Sequence, residues 1–138
     1  MTHYILDACA LVAVLKGENG AEAVDDLFHQ AIRGDVALSM SIVNLLEVYY
    51  GFVPDIGLME ARNIVNTIHH TPLVIIDAIS QQAYHEAARL KGIYRRLSLA
   101  DAVGVATAIE LSGAFVTSDH HELEIIANKE KLNFFWFR

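Results

Sequence analysis

Short apolar runs alternate along this chain with stretches of helical periodicity. His3–Leu6, Val36–Leu38, Leu73–Ile76, Ala114–Thr117 and Asn133–Phe137 are brief, rich in β-branched or aromatic residues, and lack polar alternation. That pattern predicts strands buried on both faces of a parallel sheet. Between them, Ala8–Lys16, Ala21–Arg33, Ser41–Gly51, Leu58–His70, Ile79–Lys91 and Ser98–Leu111 carry the 3.6-residue periodicity of helices. Pro54 and Pro72 are expected at breaks between elements. Strand–helix alternation throughout predicts an α/β sandwich with a parallel sheet.

Four carboxylates interrupt this apolar pattern, each alone. Asp7 is the only charged residue from Met1 to Leu15, Glu47 the only one from Val36 to Pro54, and Asp101 the only one from Leu97 to Ile109. Asp119 closes the uncharged run Leu111–Ser118. An ionised carboxylate in apolar surroundings costs several kcal/mol or more unless compensated. Four of them point to a shared partner, and a hard divalent cation supplies one. The pattern places Asp7 and Asp119 just after strands, Asp101 in the first turn of a helix, and Glu47 within the helix after the second strand. In a parallel sheet, side chains so placed can converge at the carboxyl ends of the strands, at a switch point in strand order.

Structural readings compete. Asp7 can cap the following helix, and both Ser98-Leu-Ala-Asp101 and Asp119-His-His-Glu122 have the capping-box form. Glu47 lies beyond the first turn, where a cap cannot act; only Asn44, one turn earlier, shares its polar stripe. Capping and metal binding are compatible, because a capping carboxylate can keep one oxygen free. His69-His70 and His120-His121 read as surface histidines, since adjacent residues on a helix point apart and no zinc-like spacing surrounds them; His121 is near enough to Asp119 to touch a substrate. Cys9 has no base beside it and reads as a buried thiol. Arg89, Lys91, Arg95 and Arg96 cluster just before Ser98, as a solvated helix end or as a phosphate-binding rim. Phe134, Phe135, Trp136 and Phe137 read as a buried last strand, with a base-stacking platform or a subunit interface as the other readings.

At 138 residues and 54 % apolar content the chain is expected to form one domain, 1–138, with a full core. No run approaches the roughly 20 apolar residues needed to cross a bilayer, and Asp7 interrupts any N-terminal leader. One cysteine excludes an internal disulfide; a cytoplasmic location is the expectation. The net charge of −7 argues against broad electrostatic attraction to nucleic acid, although metal ions at a site reverse the local sign. A phosphotransfer receiver module with Asp77 as phosphoacceptor would need paired acids after the first strand and a late Lys, neither of which is present. A phosphatase of the haloacid-dehalogenase type would need a second Asp where Cys9 stands. A non-catalytic protein-binding domain on the same fold is the third rival.

Ile5-Leu6-Asp7-Ala8-Cys9-Ala10-Leu11, then Ser41 through Glu47 to Gly51, then Leu97-Ser98-Leu99-Ala100-Asp101-Ala102, then Ala114-Phe115-Val116-Thr117-Ser118-Asp119 together resemble the PIN-domain family of metal-dependent ribonucleases, most nearly the small VapC-type toxins of bacterial toxin–antitoxin pairs. The resemblance covers essentially the whole chain. It implies a three-layer α/β/α sandwich with a central parallel sheet of about five strands, in a Rossmann-like topology. It implies that Asp7, Glu47, Asp101 and Asp119 form the catalytic site and bind Mg²⁺ or Mn²⁺, supported by Thr117, with Ser98 holding the helix that carries Asp101. The family usually has Asn or Ser at the position of Cys9, where it helps orient the cluster; a thiol hydrogen-bonds more weakly. The resemblance also implies endoribonuclease activity leaving a 5′-phosphate and a 3′-hydroxyl, homodimerisation, and inhibition by a cognate antitoxin protein. Arg89, Lys91, Arg95 and Arg96 are the expected RNA phosphate contacts.

Overall fold

The computed structural model describes residues 1–138. Five strands, β1 (Thr2–Leu6), β2 (Val36–Ser41), β3 (Val74–Ile76), β4 (Ala114–Thr117) and β5 (Phe134–Trp136), form one parallel sheet in the order β3-β2-β1-β4-β5. Seven helices connect them: α1 (Ala8–Lys16), α2 (Ala21–Ile32), α3 (Ile42–Ile56), α4 (Leu58–Ile68), α5 (Gln81–Ile93), α6 (Leu99–Glu110) and α7 (His120–Glu130). The sequence expectation of a three-layer α/β/α sandwich holds. One sheet face packs Leu6, Leu38, Met40 and Val116 against Leu11, Val24, Leu27, Leu45, Val65 and Ile68. The other packs Ile5 and Phe115 against Leu90, Val105, Leu123 and Ile126. Strands covered on both faces have no solvent side, which is why the sequence shows no alternation.

Three elements depart from the sequence reading. Pro54 does not break α3, which runs on to Ile56. The missing Pro54 N–H removes one helical bond near the end of the helix, and burial of Phe52 in the core holds the last turns together. β2 extends to Ser41 because Ser39 is buried against the His3 ring, Nε2 to Oγ 2.7 Å, and Ser41 caps α3 by accepting from the Val43 and Asn44 amides. Helix α7 carries only two buried apolar residues, Leu123 and Ile126, so its periodicity is faint; the Asp119-His-His-Glu122 start signal was its one sequence mark.

The chain leaves β1 toward β2 and β3 on one side and returns to β4 and β5 on the other. The reversal lies between β1 and β4, where helices diverge to opposite faces and a crevice opens at the carboxyl ends. Asp77 follows β3, an edge strand, and is exposed far from that point in the strand order. No helix is long and apolar enough to cross a membrane.

Gly104 sets how closely α6 approaches the sheet and α3. A Cβ there would lie 2.7 Å from the Phe115 ring and 2.8 Å from Asn44 Oδ1. Gly104→Ala is therefore expected to destabilise the fold by about 1–3 kcal/mol through overpacking, seen as a lower urea midpoint with an unchanged slope.

Candidate metal centre

Asp7 begins α1 directly after β1. Its extended backbone makes it the N-cap: Oδ1 accepts from the Ala8 amide at 2.7 Å. Oδ2 accepts from the Thr117 hydroxyl at 2.7 Å, across the β1–β4 pair, and from the Cys9 thiol at 3.4 Å. The register Leu6↔Val116, together with the Asp7 N–H to Val116 carbonyl bond of 2.9 Å, brings Asp7 and Thr117 side by side. Asp7 is only 4 % exposed. Burial raises its pKa, against the pull of these hydrogen bonds, and the charge on Asp119 raises it further.

Asp101 stands in the first turn of α6 and is 8 % exposed. The capping box of the sequence reading is half formed. Ser98 Oγ accepts from the Asp101 amide at 3.1 Å, and no bond runs back from the Ser98 amide to the Asp101 carboxylate. The Asp101 pKa is pushed up to about 8, first by burial and then by the negative charge of Asp7, against the lowering effect of the Ser98 hydroxyl, with smaller contributions from Asp119 and Glu47. Glu47 is half-buried on α3, without a hydrogen bond, and its pKa is raised by burial and by the charges of Asp7 and Asp119. Asp119 is the N-cap of α7; Oδ1 accepts from the His121 amide at 3.2 Å, and Thr117 Oγ1 accepts from the Asp119 amide at 3.1 Å.

The four acids thus lie within one another's electrostatic reach near the switch point. Thr117, fully buried, ties two of them together. Cys9 touches Asp7, Thr117 and Ser118, and burial followed by the Asp7 charge pushes its thiol up to about 11, so it acts as a protonated donor and not as a nucleophile. A cleft of about 240 Å³ opens beside the acids, lined by Ala8, Cys9, Val12, Lys16, Glu47 and Phe52 among others. Lys16 is the cation there, 3.7 Å from Asp55.

The basic cluster splits. Arg89 is bound inward to Glu86 and Glu130 at 2.9 and 2.7 Å, and the Lys91 ammonium donates to the Arg95 carbonyl. Arg95 and Arg96 are exposed in the loop that leads to Ser98. His69 and His70 lie at the far end of α4, while His120 and His121 open α7. Sequence reasoning missed the buried role of Asn44. It is 0 % exposed, neither of its side-chain polar atoms has a partner, and its Oδ1 faces Gly104 one turn below Glu47. Its place on the polar stripe of Glu47 was the available signal. Arg138 was missed too; its guanidinium donates to the Asn19 carbonyl and to Ser118 Oγ, next to Asp119.

The donor set suits a hard divalent ion. Every candidate donor among the acids is oxygen, and no cation of the protein pairs with the Asp101 carboxylate. No three His, Cys, Asp or Glu side chains close into a ready-made metal cage. Mg²⁺ does not need one, since it keeps several waters and takes one or two protein carboxylates plus substrate oxygens.

Two outcomes follow. Asp101 has a folded-state pKa above the unfolded carboxylate value, so between about pH 4 and 8 the folded chain binds more protons than the unfolded one. Stability of the metal-free protein therefore falls as pH rises through that window. Asp101→Asn removes its own share of this slope, leaving those of Asp7 and Glu47, and raises Tm at pH 8 in chelator, by roughly 3–5 °C for each kcal/mol recovered; thermal melts from pH 5 to 8 check it. Thr117→Ala frees Asp7 Oδ2 and should weaken Mn²⁺ binding about 10- to 100-fold, read by titration calorimetry.

The PIN domain family profile matches residues 4–129. A search of curated proteins returns no match. Among solved structures, the chain is similar to VapBC-1 from nontypeable Haemophilus influenzae, with 17 % identity and TM-score 0.73 over 99 % of this chain and 98 % of that one. It is similar to VapBC2 from Rickettsia felis bound to a DNA fragment from their promoter, with 19 % identity and TM-score 0.76 over 97 % and 98 %. It is similar also to DNA-bound VapBC from Salmonella typhimurium, with 16 % identity and TM-score 0.74 over the full length of both chains. These likenesses repeat the fold, and with the family match spanning nearly the whole length, the chain belongs to the PIN domain family.

Proposed function

We propose that this protein is a metal-dependent endoribonuclease, the toxin of a type II toxin–antitoxin pair. The observation that carries the reading is the convergence of Asp7, Glu47, Asp101 and Asp119 at the β1–β4 switch point of a PIN chain, with the Asp101 carboxylate unpaired and its pKa raised by its neighbours. Asp7 and Asp101 are buried like charges that no protein cation neutralises, with half-buried Glu47 and exposed Asp119 beside them, an arrangement suited to a cation that comes with, or waits for, an anionic substrate.

Asp7 and Asp101 would hold Mg²⁺ or Mn²⁺, with Asp119 completing the site directly or through water. Such an ion, when bound, lowers the pKa of coordinated water and screens charge on the scissile phosphate. Thr117 fixes Asp7 by its hydroxyl, and Ser98 fixes the turn that presents Asp101. Glu47, half-buried and without a partner, orients the attacking water and accepts its proton; its raised pKa suits that task. Arg95 and Arg96 are the free cations of the basic cluster for RNA phosphates, while Arg89 and Lys91 serve mainly to brace the end of α5.

Likeness to VapBC structures over nearly the full length of each chain supports an antitoxin protein as partner. Exposed Leu46 and Tyr50 on α3 and Leu58 and Met59 on α4 offer it apolar surface. A cytoplasmic homodimer completes the proposal.

Digestion of a total-RNA pool with Mg²⁺ or Mn²⁺, against a chelator control, tests the activity; mapped cut ends should carry 5′-phosphates. Asp101→Asn should keep the fold and lose at least about 100-fold in cleavage rate. Cleavage equal to wild type by purified Asp101→Asn protein would refute the assignment.

A further inference from the structure

Beside the acids lies a ladder of aromatic rings that the metal chemistry does not use. The His120 ring stacks on Trp136 with centroids 4.4 Å apart and planes 19° from parallel. Trp136 stacks in turn on Phe134 at 5.1 Å and 18°. Phe134 meets the buried Phe115 ring edge to face at 5.9 Å, so the ladder is rooted in the core. Its outer end is at the site. Trp136 is the register partner of Thr117, which supports Asp7, and His120 directly follows Asp119.

The His120 ring is held on three sides. Its Nδ1 is 3.1 Å from Glu124 Oε2, its Nε2 is 2.8 Å from the Arg138 carbonyl, and one face lies on Trp136. The side chain is nonetheless 50 % exposed, which leaves the second face open. A ring fixed at both edges and one face presents that open face without further loss of rotamer freedom. The Arg138 guanidinium, on Ser118 Oγ at 3.1 Å, adds a cation next to it.

We propose that the open face of His120 is a stacking platform for one unpaired nucleobase of the RNA, next to the phosphodiester held at the acids. The proposal rests on the nuclease reading above and deepens it by naming the substrate form. A base can reach this face only when it is unpaired and splayed from its neighbours, so the platform selects single-stranded loops and ends over duplex. Both ring nitrogens are already engaged, so no base edge is read by His120. The contact is sequence-tolerant, with purines preferred for their larger π-surface. Trp136, on which His120 lies, belongs to the edge strand β5, so no further strand flanks the approach.

The test uses nine single-stranded nonamer RNAs, each with 2-aminopurine at a different position, with Ca²⁺ replacing Mg²⁺ to halt cleavage. Wild-type protein should quench fluorescence at one position, His120→Ala should abolish that quench, and His120→Phe, which keeps a stacking ring, should restore it. In Mg²⁺, His120→Ala should raise KM by about 5- to 150-fold with kcat nearly unchanged. Position-selective quenching that survives His120→Ala, or no quenching by wild type, overturns the platform while total-RNA cleavage leaves the nuclease reading standing. Absence of any metal-dependent cleavage of the RNA pool overturns both.

Discussion

Negative charge packed against negative charge, away from water, is the constraint on which this molecule turns. Asp7 and Asp101 are almost wholly buried at the same end of the sheet, and Glu47 and Asp119 add their fields. A stability-driven core would not retain such a group, because apolar residues of similar volume would cost less. The fold tolerates it by two means. Hydrogen bonds from Ala8, Thr117 and Cys9 stabilise Asp7 as an anion. Asp101 has only the Ser98 hydroxyl to set against burial and the Asp7 charge, and rises toward protonation.

The architecture gathers these groups from distant parts of the chain with few devices. The strand order makes β1 and β4 neighbours, so residues 110 apart, Asp7 and Thr117, share a hydrogen bond. Gly104 lets α6 lie close to α3 and Phe115, which carries Asp101 to the same crevice as Glu47. Ser98 fixes where α6 begins. The site is a consequence of packing: Asp7, Asp101 and Asp119 sit at helix starts, and Glu47 lies within α3, whose Leu45, Val48 and Phe52 are core.

Much of this was legible beforehand, for particular reasons. Lone acids in apolar runs stand out because burial of charge is expensive; Asp7 and Asp101 are buried, whereas Glu47 is half-buried and Asp119 exposed. The strands were legible because both their faces are buried. Helix α7 was not, since two buried residues give no clear period. Pro54 was misjudged because local backbone chemistry was weighed without the tertiary burial of Phe52 that outweighs it. Within the basic cluster, which Arg is free depends on Glu130, forty-one residues from Arg89 in the chain, and no local pattern shows that pairing. The half-formed capping box at Ser98 shows the same limit: the motif identified the helix start, while the burial of the Asp101 side chain became visible only in three dimensions.

Diffraction from crystals soaked in Mn²⁺ tests the central claim most directly. The account predicts an anomalous peak in contact with the Asp7 and Asp101 carboxylates, with Asp119 or Glu47 reaching it directly or through water. Ordered carboxylates at that end of the sheet with no peak among them, at Mn²⁺ concentrations that support RNA cleavage, would contradict it.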